Sequence, residues 1–198
     1  RVTLFVTLLS TYGIVLASLA RQEDIIVDAL FVNRPKREIQ SLIGTFVNWL
    51  PLRLNLNGNP TFTELLHRLQ QTLRDTYAHN SVPFPQFLEI WQAQGKEFPC
   101  PIPVGFNLVN VINHKYLYLP DMKISLMQME RPVCFVKLYL RIWAIDGGYL
   151  ADFRYMSEVF DRKTIARIAR KFHLLLETVV TDSQKPLVDL FAMLDRVE

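Results

Sequence analysis

Nineteen consecutive uncharged residues, Val2 to Ala20, stand between Arg1 and Arg21. A run of that length can span a bilayer or form a helix buried all round inside a sizeable core. Thr3, Thr7, Ser10, Thr11, Gly13 and Ser18 dilute it. The remainder of the chain mixes strand-like and amphipathic segments as a globular core does, so a buried helix is expected and no membrane partner. Arg1 opens directly on the apolar run, with neither a Met nor a small-residue cleavage site before it, as expected of a piece of a longer chain.

Half of the 198 residues are apolar, enough to bury a substantial core in one compact unit. The 22 Lys+Arg against 19 Asp+Glu leave a net charge of +3. Without a basic stripe interleaved with aromatics, that excess does not point to nucleic acid. Cys100 and Cys134 fit neither a disulfide framework nor a metal-ligand spacing, so a reducing, cytoplasmic setting and no metal are expected.

Ile25 to Val32 is an apolar run rich in β-branched residues, the pattern of a strand covered on both faces, interrupted only by Asp28. Leu50, Leu52, Leu54 and Leu56 alternate along a second strand, and Pro51 assigns it to an edge or a bulge. After the turn Asn57-Gly58-Asn59-Pro60, Thr61 and Glu64 stand in capping-box register ahead of Leu65, Leu66, Leu69, Leu73 and Tyr77, which predicts an amphipathic helix. A short helix is expected over Pro83–Gln94, then a proline-rich loop to Pro103. Strands are expected over Val104–Ile112, Ile124–Glu130, Phe135–Ile145 and Tyr149–Glu158, the last two joined tightly through Asp146-Gly147-Gly148. Asp161 should cap a final helix that buries Ile165, Ile168, Phe172, Leu175, Leu176 and Val179. The mixture predicts an α/β class: a mixed β-sheet with helices packed against it.

Catalytic signatures are missing. The sequence contains no Gly-x-Ser-x-Gly, no Gly-x-Gly-x-x-Gly, no P-loop and no His-Glu-x-x-His. His67, His79, His114 and His173 are scattered, without a positioned partner. Asp28 within an apolar strand must meet water, a cation or a donor, and Arg34 is one candidate partner.

The segment Ile43-Gly44-Thr45-Phe46-Val47-Asn48-Trp49-Leu50-Pro51-Leu52-Arg53 is similar to the motif Ile-Gly-x-Phe-Val-Asn-Thr-x-x-x-Arg of nonribosomal peptide synthetase condensation domains. Gln22-Glu23-Asp24-Ile25-Ile26-Val27 followed by Asn33-Arg34-Pro35, then Gly58 to Leu66, His79-Asn80-Ser81-Val82-Pro83-Phe84, Phe160 to Ile165 and Pro186-Leu187 extend the resemblance over essentially the whole chain. The chain thus resembles the C-terminal half of such a domain, one of two chloramphenicol-acetyltransferase-like halves.

The resemblance implies a cleft in which the amine of one carrier-bound substrate attacks the thioester of another. It implies no directly bound cofactor; the substrates ride on phosphopantetheine arms of carrier domains. The implied partners are those carriers and the N-terminal half, and a carrier-recruiting, non-catalytic domain or a related O-acyltransferase are the alternatives. The family's His-His-x-x-x-Asp-Gly motif has no match in these residues, so no catalytic residue is assigned and the chain alone is expected to be inactive. Asp28, Arg34, Asn48 and Trp49 are the candidates for lining the substrate channel. Arg162, Lys163, Arg167 and Arg170, with Lys171, are the candidates for docking an acidic carrier.

Overall fold

A computed structural model describes residues 2–34, 36–80, 82–95, 102–109, 122, 134, 136–145 and 147–197. The expected strand over residues 124–130, His114 and the connecting Asp146 lie outside the described residues.

The uncharged N-terminal run folds as α1 (Leu4–Ala20), its free amide at Val6 accepted by the Thr3 hydroxyl and its end closed by Arg21 in the left-handed conformation. The helix is buried on nearly all sides, from Val6 through Ala17, and packs on β1 (Asp24–Val32) and against three further helices. Gly13 permits a close approach, since a Cβ there would collide with Leu54 Cδ2. Among the described residues no helix is long and apolar enough to cross a membrane.

The strand β2 (Val47–Asn55) pairs antiparallel with β1 and forms one edge of the sheet, where the missing N–H of Pro51 costs no ladder bond in the interior. The other strands are β3 (Val104–Val109), β4 (Leu138–Ile145) and β5 (Gly148–Tyr155). The order is β2-β1-β3-β4-β5; β1, β3 and β4 run parallel and the two edge strands antiparallel, so the sheet is mixed as expected. The hairpin expected at the end of the sheet is β4–β5.

The capping box of α2 (Phe62–Ala78) is formed in both directions, Thr61 accepting from Glu64 N and Glu64 from Thr61 N. Next, α3 (Phe84–Ala93) begins after Pro83, and α4 (Arg162–Thr181) begins at Asp161, which accepts from Thr164 N. The expected buried face of α4 is present, with Leu176 only partly buried. Two elements were not anticipated: a 3₁₀ turn over Arg37–Ile39, and α5 (Leu187–Leu194), which buries Leu187, Leu190 and Leu194. The tail before α5 is tied to the start of α2 by Phe62 N to Lys185 O and Leu187 N to Pro60 O.

One expectation needs correction. β1 is not covered on both faces: Ile25, Val27, Ala29 and Phe31 are buried, whereas Ile26, Asp28 and Leu30 are half-buried. The described helices lie on one side, so alternate residues of each strand face away from the helical core.

Candidate functional site

Strand alternation and register place a row of side chains on the face turned away from the helices. Asp28 is paired across with Pro51 on one side and Gly105 on the other, Gly105 with Tyr139, and Tyr139 with Arg154. Trp49, two residues before Pro51 on the same strand, shares this face.

The centre of the row is an aromatic pair over a carboxyl group. Trp49 and Tyr139 reach over the two strands between them until their ring centroids are 6.2 Å apart, at 57°. Gly105 makes this possible, because a Cβ there would stand 2.5 Å from Tyr139 Cδ2. The phenol of Tyr139 is raised above its usual range by burial, an effect opposed by its hydrogen bond with the Asn107 side chain. Asp28 Oδ1 is buried without a hydrogen-bond partner among the described residues, and burial pushes the carboxyl up to about 6.

The cations around it pair with other groups, although Arg141 Nε is buried without a hydrogen-bond partner among the described residues. Arg141 and Arg154 both reach Asp152, at 3.2 and 2.8 Å, and the Arg141 guanidinium stacks 4.4 Å from the Trp143 ring centre. Arg53 holds Asp24 bidentately at the strand end, and keeps that carboxyl below its usual range.

Arg34 does not pair with Asp28. Its guanidinium donates to the carbonyls of Ile39, Gln40, Leu42 and Gly44 and lies 4.0 Å from the Phe46 ring centre, closing the loop between β1 and β2. Truncation to Ala should cost roughly 1 kcal/mol, since these are exposed charge-assisted bonds. Hydrogen exchange should show the loss confined to amides 36–46; a uniform loss across the sheet would contradict this role.

Asn48 faces the helices, opposite to Trp49, so the two do not line one surface. Its amide donates to Asn80 Oδ1 at 3.1 Å and Val82 O at 3.2 Å, and accepts from Phe84 N at 3.3 Å. It therefore ties β2 to the turn between α2 and α3 and satisfies the first amide of α3.

Arg162, Lys163, Arg167 and Arg170 are all exposed on α4, and the last three, at spacings of four and three, form a stripe away from buried Ile168 and Phe172. Lys171 is buried, 7% exposed, and leaves that basic face. His79 ends α2, with Nδ1 2.7 Å from Asp75 O, and His173 stands 3.3 Å from Glu177 on the exposed side of α4. Neither touches the sheet row.

Sequence reasoning reached Asp28 and Trp49 and missed Gly105, Asn107, Tyr139, Arg141, Asp152 and Arg154. The signal was present in β4, where Tyr139, Arg141 and Trp143 alternate with Leu138, Leu140 and Ile142; what it lacked was the register that sets Tyr139 beside Gly105 and Asp28.

The condensation-domain family profile matches residues 1–197. The chain belongs to the condensation-domain family of nonribosomal peptide synthetases. It is 35% identical over 186 residues to malpinin synthetase of Mortierella alpina, covering 93% of this chain and 2% of that protein. It is 30% identical over 198 residues to a linear gramicidin synthase polypeptide of Brevibacillus parabrevis, covering 99% of this chain and 4% of that protein. Among solved structures, a four-domain nonribosomal peptide synthetase bound to AMP and glycine superposes with a TM-score of 0.82 at 16% identity, over 95% of this chain and 15% of that one. The X-domain from teicoplanin biosynthesis gives 0.78 at 20%, over 94% of this chain and 43% of that one. The chain thus spans a few per cent of these curated relatives and under half of the X-domain.

Proposed function

We propose that this chain is the C-terminal half of a condensation domain and forms one wall of a cleft in which carrier-bound thioesters are joined through an amide bond. The observation that supports this most is the sheet itself: the described helices cover one face, while the other presents Asp28, Trp49, Tyr139 and Arg154 in one row. A second half closing on that face completes a cleft and excludes water.

In the reaction the acceptor amine attacks the donor thioester carbonyl, the C–N bond forms, the C–S bond breaks, and the amine proton ends on the departing thiol. Moving that proton falls to the other half, because these residues contain no His-His-x-x-x-Asp-Gly. The contribution of this half is orientation, which in favourable cases supplies several orders of magnitude in rate. The stripe of Lys163, Arg167 and Arg170 suits an acidic carrier domain that delivers phosphopantetheine-bound substrate in the cytoplasm.

A second reading is a domain that recruits a carrier or partner without catalysis. It is favoured by Trp49, which stands where the family's Ile-Gly-x-Phe-Val-Asn-Thr motif carries Thr. An amide-formation assay with carrier-bound donor and acceptor separates the two. Product is expected only when this chain is combined with its N-terminal half. A folded complex carrying an intact His motif that still makes no product would move the assignment to the recruiting reading.

A further inference from the structure

We propose that Asp28, Trp49 and Tyr139 form a binding site for a primary ammonium group, such as a basic side chain or free amine on a substrate drawn into the cleft. The inference rests on the sheet face being the ligand-facing wall, and it adds the chemical class that the face selects.

A carboxylate oxygen buried without a partner carries a desolvation penalty that native folds rarely leave uncompensated. Asp28 Oδ1 is in that position among the described residues. The arginines nearest in the sheet reach other groups, Arg53 to Asp24, Arg141 and Arg154 to Asp152, and Arg34 to loop carbonyls, while Arg141 Nε is itself buried without a hydrogen-bond partner among the described residues. The face as a whole is balanced, Asp28 and Asp152 against Arg141 and Arg154, but both arginines reach Asp152, and the direct ion pair that Asp28 lacks is one that an ammonium ligand supplies.

The neighbours of Asp28 fit that occupant better than an anion or a neutral group. Trp49 and Tyr139 hold tilted rings beside it, and aromatic faces attract cations most when partly desolvated. The arrangement is preorganised: Gly105 lets the Tyr139 ring lie close on the strand and Asn107 holds its hydroxyl. Trp49, 39% exposed, leaves a way in from the solvent side. A primary ammonium combines the ion pair, up to three hydrogen bonds and the cation–π contact in one small group.

The test is a titration of the protein with n-pentylammonium at neutral pH, followed through the indole N–H resonances of Trp49, Trp91 and Trp143, with Trp49→Phe to assign the first. A saturable shift of the Trp49 resonance is expected with the amine and none with n-pentanol, its neutral analogue. Asp28→Asn is expected to raise the dissociation constant about tenfold or more, an ion-pair loss converted by the usual affinity relation. Tyr139→Leu should raise it roughly threefold to fivefold. Unmoved Trp91 and Trp143 resonances in each variant verify that it is folded.

No shift with the amine, an equal shift with pentanol, or an unchanged affinity in Asp28→Asn would each overturn the site. The outcome is separable from the cleft reading. Ammonium binding without amide product in the reconstituted assay keeps the site and removes the cleft role; product without ammonium binding does the reverse.

Discussion

Asn48→Leu, which keeps the number and branching of the side-chain heavy atoms, is expected to destabilise the fold by about 2–4 kcal/mol, because it strands three polar groups at once. The amide of Asn48, itself 8% exposed, serves Asn80 Oδ1, the Val82 carbonyl and the Phe84 N–H. Asn80 is 5% exposed and has little access to water as a substitute. The Phe84 amide is the first of α3, one that no helical carbonyl can satisfy. Urea unfolding should show a lower midpoint with an unchanged slope, and hydrogen exchange should accelerate first over residues 79–84. A change under about 0.5 kcal/mol would mean that the tether contributes nothing beyond what solvent provides.

Asp28→Asn should act in the opposite direction and raise stability at neutral pH. Burial lifts the folded-state carboxyl from 3.8 to about 6, so between those values the native chain holds a proton that the unfolded chain has released. Stability attributable to this group is therefore highest below the unfolded value, falls as pH rises through the window, and is lowest above the folded value. Undiscounted, the shift corresponds to roughly 3 kcal/mol at 1.36 kcal/mol per unit. Because the side chain is only partly buried, solvent screening reduces the expected gain to about 1–2 kcal/mol at pH 7. Unfolding free energies measured from pH 3.5 to 7.5 should show the variant overtaking the parent only above about pH 4. A gain that is constant across this range would remove the carboxyl's ionisation as the cause.

The low-lying carboxyls of Asp24, held by Arg53, and Asp161, held by the Thr164 amide, act in a different window. Their stabilisation is present above the unfolded carboxylate value and is lost as pH falls below it. A residue that weakens the fold at working pH while sitting at the centre of an otherwise ordered face is the pattern expected when stability is traded for binding.

What the sequence by itself determined is local. Thr61 with Glu64, Asp161 with Thr164, the Gly58 turn and the leucines of β2 announce their elements because capping and alternation need only near neighbours. Pro51 narrowed its strand to an edge or a bulge for the same reason, since a missing N–H is a property of one residue, and β2 lies at an edge.

The tertiary structure decided what alternation leaves open. A period of two divides a strand into faces but does not say which one the helices cover, so β1 read as covered on both faces and Asn48 and Trp49 both stood as candidates for lining the channel. The pleat alone sends Asn48 and Trp49 to opposite faces, and the packing of α1 on β1 and of α2 on β2 decides that the face of Asn48 is the covered one. Arg34 read as a partner for Asp28 because both are charged and close in sequence, yet the loop carbonyls claimed it through backbone geometry that composition does not encode. The grouping of Asp28, Trp49, Gly105 and Tyr139 depends on strand register between segments far apart in the chain, which only long-range packing fixes.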